Sequence, residues 1–187
     1  MSTATATPTA TTTTWAIDAM HSEISFKVKH LLITTVTGKF KNFSGKMVAE
    51  DEGFDNAQIE FSADVNSIDT GVDGRDEHLK SPEFFDATAF PEISFKSTSF
   101  TKKGSDYKLV GDLTLHGVTK SITLDAEYLG TTKDPFYGIT KAGFEVNGKI
   151  LRKDFGLQWD VLTETGGAVV SNDIKLHINI QVNRVDL

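Results

Sequence analysis

Eight separate runs of this chain alternate apolar and polar residues with a period of two, the pattern of strands with one dry face and one wet face. The first is Glu23–His30, with Ile24, Phe26 and Val28 on one face and Ser25, Lys27 and Lys29 on the other. The second spans about Val36–Glu50, where Gly38 and Gly45 predict bends or bulges. Then come Ala57–Val65, Glu92–Phe100, Tyr107–Leu115, Lys120–Leu129, Thr140–Leu151 and Asn172–Asn183. Lys103-Gly104-Ser105-Asp106 and His116-Gly117-Val118-Thr119 read as short hairpin turns, and Asp51-Glu52-Gly53 as a further turn. Alternation throughout is the antiparallel pattern, not the uniformly apolar strand of a parallel sheet. Eight such strands without obvious edge protection predict an all-β chain closed into a single antiparallel barrel, with a two-sheet sandwich as the alternative.

One connection breaks the rhythm. Between the third and fourth runs lies the polar stretch from Ser67 to Asp86, which carries the Phe84-Phe85 pair near its end. Hairpin connections usually take about 2–5 residues, and longer ones inside a compact β-protein are commonly functional. Asp73 is placed to cap a short helix that carries Leu79, and Pro82 to start a second turn. The connection is therefore expected to be partly helical. It serves either as a plug for one barrel end or as a ligand-contacting lid.

Composition narrows the function classes. The net charge of −7 argues against nucleic acid and against a polybasic membrane patch. The absence of cysteine excludes disulfides, thiolate metal sites and a Cys nucleophile. Phe is abundant, at 13 residues against 3 Tyr and 2 Trp, which supplies apolar area with no polar handle. Residues 2–14 are only Ser, Thr, Ala and Pro, so residues 1–14 read as a disordered tail and 15–187 as one domain. The tail has no basic start and no apolar h-region, and no apolar run approaches a membrane span. Cytoplasmic location is the expectation, or periplasmic if a signal has been removed.

Candidate chemistry is sparse. The five histidines form no metal-spaced pair, and no metal or organic cofactor is expected. His177 has outward parity and His116 reads as a turn residue. His30 shares the inward parity of Ile24, Phe26 and Val28 at a strand end, where it can meet a polar head group. Arg75, Asp76, Glu77 and His78 form the densest charge cluster. An acid–base role for Asp76 and His78 is one reading, but no nucleophile elbow accompanies it. Pinning of the loop is the favoured one. Arg152 and Lys153 follow the seventh run and suit either a phosphate or rim carboxylates.

Several blocks, in order, resemble the YceI-like family. The opening is Trp15-Ala16-Ile17-Asp18, His21-Ser22 and Val28-Lys29-His30-Leu31, followed by Gly38-Lys39-Phe40 and Phe43-Ser44-Gly45. The long connection supplies Ser67-Ile68-Asp69-Thr70-Gly71, Arg75-Asp76, His78-Leu79, Ser81-Pro82 and Phe84-Phe85-Asp86. Gly111 to Lys120 and Arg152-Lys153-Asp154-Phe155-Gly156-Leu157 complete the match, which covers roughly Trp15 to Val182. The resemblance implies a lipocalin-like barrel around a long polyisoprenoid chain, and a binding protein rather than an enzyme. On this reading the leader often found in that family is not expected within the sequence.

On that reading Phe26, Phe40, Ile59, Phe61, Phe95, Leu113, Leu124, Phe144 and Ile178 line a tunnel. His30, Arg75, Arg152 and Lys153 are the head-group candidates, and Asp76, His78, Phe84 and Phe85 belong to the loop. Small inward residues, Ala57, Ala63, Ala126, Ala142, Gly111 and Gly148, leave room for the lipid. The head group would be a phosphate, a pyrophosphate or a quinone. Two rivals stand beside this reading: an enzyme using Arg75, Asp76 and His78 on an isoprenoid-like substrate, and a filled barrel that binds protein through its loops. Phe84 and Phe85 at a mouth are candidates for packing on a bilayer or on a second copy in a homodimer, although two exposed Phe do not make an interface.

Overall fold

The computed structural model describes residues 12–50, 53–163 and 167–185. Its strands are β1 (Thr12–Ile17), β2 (Glu23–His30), β3 (Thr34–Phe40), β4 (Phe43–Glu50), β5 (Gln58–Asp64), β6 (Ile68–Asp69), β7 (Glu92–Lys103), β8 (Asp106–Leu115), β9 (Val118–Lys133), β10 (Thr140–Leu151) and β11 (Val170–Val185). One helix, α1 (Asp73–Lys80), sits in the long connection. All pairings are antiparallel, and the ring β1-β4-β5-β7-β8-β9-β10-β11 closes through β1 and β11. The result is an eight-stranded barrel. β2 and β3 continue the wall beside β11, and the two-residue β6 adds to the edge of β3. The 16-residue β11 pairs with β2 through Val170–Asn179 and with β1 through Val182–Val185. In the same way β4 pairs with β1 and β3 with β2.

The barrel begins earlier than residue 15, where the sequence reading has it begin. Thr12–Thr14 belong to β1, paired with Val48, Ala49 and Glu50 of β4. Thr13 is buried, and its hydroxyl accepts from Trp15 Nε1 at 3.0 Å and donates to the Ala49 carbonyl. A Thr run is a good strand former once a partner edge is present. Residues 1–11, and Asp51-Glu52 of the predicted turn, lie outside the described residues.

Bulges tune which side chains face inward. The β7–β8 register shifts between Ser97 and Ser99, so parity flips along β7. Ile93 and Phe95 point inward before the bulge and Phe100 after it, and Phe100 is buried. Ser97 Oγ accepts the Ile59 amide there at 2.8 Å. The β9–β10 ladder runs from Thr140↔Lys133 to Asn147↔Asp125, with a shift at Gly143/Phe144 that leaves Leu129 exposed. The hairpin at His116-Gly117 has positive φ at both positions, as a type I′ turn requires.

The two barrel ends differ. At one end the 53–57 turn is tied to β7 by Asn56 N to Phe100 O at 2.7 Å and Lys102 N to Asp55 Oδ1 at 2.8 Å. These bonds press Phe54 inward against Trp15 (ring centroids 5.2 Å apart), Phe144 (5.2 Å) and Tyr128 (5.7 Å). The other end carries the long connection and the chain after Arg152.

Candidate functional site

The barrel encloses an apolar cavity of about 250 Å³. All nine tunnel residues read from the sequence line it: Phe26, Phe40, Ile59, Phe61, Phe95, Leu113, Leu124, Phe144 and Ile178. Phe26, Ile59, Phe61, Ile174, Leu176, Ile178 and Ile180 point inward yet are only half-buried, because the space they face is open. At the closed end, by contrast, Trp15, Phe54, Phe100 and Tyr107 are all buried. Burial also pushes the Tyr107 hydroxyl up from its ordinary value.

The glycines play a part other than the one expected. A Cβ at Gly111 would run into the Phe95 ring, at Gly148 into Leu124 and at Gly38 into Phe26. The missing side chains let cross-strand neighbours lie flat against the wall. The room at Gly111 and Gly148 is thus taken by Phe95 and Leu124, not left for a ligand. Ala63 and Ala126 do line the cavity, whereas Ala57 and Ala142 are buried outside its lining.

The long connection closes the mouth. Leu79, Phe84 and Phe85 all line the cavity. Phe84 is buried, at 7% exposure, so it is not the surface side chain that the sequence reading offers to a partner. Its ring packs on Trp159 (4.9 Å) and His78 (5.0 Å), and Phe85 packs edge-on against Phe40 (6.3 Å). The helix starts one residue earlier than a cap at Asp73 implies: Val72 holds the cap position, with no side-chain bond. Thr70 does the fastening. Asp76 Oδ1 accepts from its amide at 2.9 Å and its hydroxyl at 2.5 Å, while Arg75 donates to its hydroxyl at 2.7 Å and its carbonyl at 2.8 Å.

The Asp76–His78 acid–base pair does not form. Residues two apart on a helix do not face each other. Asp76 is buried against Thr70, and His78 Nε2 meets Glu83 Oε2 at 2.6 Å. Among the described residues no group of three or more His, Asp or Glu is placed to hold a metal ion.

Arg152 lines the cavity at its mouth, but its donors are committed. Nε reaches Ser171 O at 3.0 Å, Nη1 reaches Leu157 O and Trp159 O at 2.7 Å each, and Nη2 reaches Val170 O at 3.0 Å. Asp160 stands 3.6 Å from Nη2 and 3.4 Å from Lys153 Nζ. Burial pushes the Arg152 guanidinium down, with Asp160 opposing. Burial would push Asp160 up, but Lys153 and Arg152 outweigh it and hold the carboxyl below its usual range. Arg152 therefore staples the two segments that flank the mouth, a role hidden in a sequence that shows only a basic pair. Arg75 is bound to Thr70, and His30 is exposed outside the cavity lining. Lys120, opposite Leu113 at the mouth end of β9, has inward parity that the sequence reading passed over, but it too is exposed and outside the lining.

A YceI-like domain family model matches residues 15–182. Protein YceI of Salmonella newport (strain SL254) is 36% identical over 164 residues, 88% of this chain and 82% of that protein. The crystal structure of Burkholderia cenocepacia BcnA superposes with a TM-score of 0.75 at 20% identity, covering 88% of this chain and 98% of the other. A polyisoprenoid binding domain from Saccharophagus degradans gives a TM-score of 0.64 at 17% identity, covering 90% and 97%.

Proposed function

The chain belongs to the YceI-like family, and from that premise we propose that it binds a polyisoprenoid lipid, with the isoprenoid chain inside the barrel and the head at the capped mouth. The observation that carries this reading is the apolar cavity inside the barrel, closed at one end by rings and covered at the other by Leu79, Phe84 and Phe85. The name of the Saccharophagus domain supports the same ligand class. Each methylene moved from water into such a cavity gains about 0.8 kcal/mol, against the cost of ordering the chain. A long flexible hydrocarbon has many to offer.

The mouth favours an uncharged head of the quinone type over a phosphate. Arg152 and Lys46 are the cations in the lining; the first is bound to four carbonyls and faces Asp160, and the second pairs with Glu60 at 2.9 Å. Bringing a phosphate inside would mean burying charge without a free partner. Carriage, storage and sensing would all use this same geometry.

Native mass spectrometry of freshly purified protein, followed by solvent extraction, tests the reading. The expected result is a mass excess that extracts as a polyprenyl quinone or another uncharged polyprenyl compound. A clean apo mass that persists after incubation with polyprenyl lipids would overturn it, and a bound polyprenyl phosphate would overturn the head-group assignment alone.

A further inference from the structure

We infer that Phe144, backed by Phe54, is the ruler that sets how long an isoprenoid chain this barrel accepts; the inference rests on the lipid-binding reading above. The cavity lining reaches Phe100, Ala126, Phe144 and Val182, whereas Trp15, Phe54, Tyr107 and Ala142 lie outside it. Phe144 stands at the floor of the cavity with four rings around it: Phe54 at 5.2 Å, Tyr128 at 5.4 Å, Phe100 at 6.1 Å and Tyr107 at 6.3 Å. Trp15 and Phe54 seal the space behind it.

Geometry makes this floor a stop and not merely a wall. Above it Phe26, Ile59, Phe61, Ile174, Leu176, Ile178 and Ile180 are half-buried and border the cavity; below it Trp15, Phe54 and Tyr107 are buried and outside its lining. A chain threading from the mouth meets rings that cannot give way without moving the whole cluster, because interiors packed to this density transmit strain. Ala142 follows Phe144 inward along β10, and Ala126, which lines the cavity, pairs with Tyr107 and Val146 across the sheet. Removing the Phe144 ring therefore joins new space to the existing cavity. Adding bulk at Ala126 does the reverse and raises the floor.

Competition among polyprenyl quinones of graded side-chain length, read by native mass spectrometry, tests the ruler. The wild-type protein should select a narrow range of lengths. Phe144→Leu and Phe144→Ala should move the most abundant bound homologue to longer chains, by about one isoprene unit for the alanine variant, which frees roughly that much space. Ala126→Leu should move it to shorter chains. Phe144→Leu and Ala126→Leu change volume modestly, so the pair stays informative if the alanine variant does not fold. A wild-type protein that binds these quinones without length preference, or variants that keep the wild-type distribution, would overturn the ruler while leaving lipid binding intact. A wild-type protein that takes up none of them would remove the lipid-binding reading, and the ruler with it.

Discussion

The two ends of this barrel are built from the same alternating strands but spend their side chains differently. At the closed end aromatic rings fill the interior: Phe100 stacks on Tyr107 at 4.5 Å, and Phe54, carried in by a turn, touches Trp15, Tyr128 and Phe144. In the upper half aliphatic side chains and the rings of Phe26, Phe40, Phe61 and Phe95 line the wall around a cavity, and a helix-bearing loop covers the top. The first arrangement stabilises the fold; the second leaves apolar surface unsatisfied for something else to cover. Stability and binding are thus carried by different layers of one barrel.

The largest test of that division is a pair of truncations. Phe54→Ala should cost about 3–5 kcal/mol in denaturant unfolding, the usual loss for a buried Phe. Ile178→Ala, whose side chain already borders open space, should cost less than half as much. Equal losses would mean that the upper half is packed as tightly as the lower. Next in size, Arg152→Met should destabilise by about 3 kcal/mol, because it leaves four carbonyls without their donor and Asp160 with Lys153 alone. Arg152→Lys should recover little, since an ammonium cannot span the same carbonyls. Full recovery of the melting temperature by lysine would show that charge alone matters there.

Phe61→Trp sharpens the comparison from the binding side. It narrows the bore of the upper half and should weaken polyprenyl quinone binding about tenfold, an overpacking effect of roughly 1–2 kcal/mol, with unfolding little changed. Unaltered affinity and length preference would take Phe61 out of the ligand's path. The smallest expected effect lies outside the barrel wall. Burial pushes the Asp18 carboxyl up, but bonds from His21, Gln181, Lys141 and Asn183 outweigh it and bring it down from 3.8 to about 2. An aspartate depressed in the folded state adds stability that is complete above 3.8 and is lost as pH falls towards 2. Asp18→Asn should therefore flatten the acid limb of the stability curve by about 1–2 kcal/mol. An acid limb identical to wild type would show that the network leaves the carboxyl unperturbed.

What the sequence made legible was whatever depends on parity. The eight alternating runs all recur as strands, the second divided into β3 and β4, although β1, which closes the ring against β11, lay in none of them, and the nine positions read as inward line one cavity. What stayed hidden depends on features that alternation cannot register. Phe54 sits in a turn with no period of its own. Phe100 is turned inward by a bulge at Thr98, which reverses the parity that Phe95 sets. Arg152 reads as a partner for phosphate or rim carboxylates because its actual partners are backbone carbonyls, which leave no mark in the residue types around it. Asp76 and His78 look paired in a string of letters, but the helical turn separates them and gives each a different neighbour.

The glycines of the wall have a further consequence. At positions 38, 111 and 148 the passage is shaped by residues that never touch whatever fills it. Substituting a methyl group at 38 or 148 would swing Phe26 or Leu124 off the wall and into the lumen, while at 111 it would meet the Lys96 carbonyl as well as the Phe95 ring. Diversification of such a barrel therefore has a route that bypasses its lining altogether: the calibre of the pore can be throttled from the second row, by the smallest change the genetic code allows, while every contact residue stays the same.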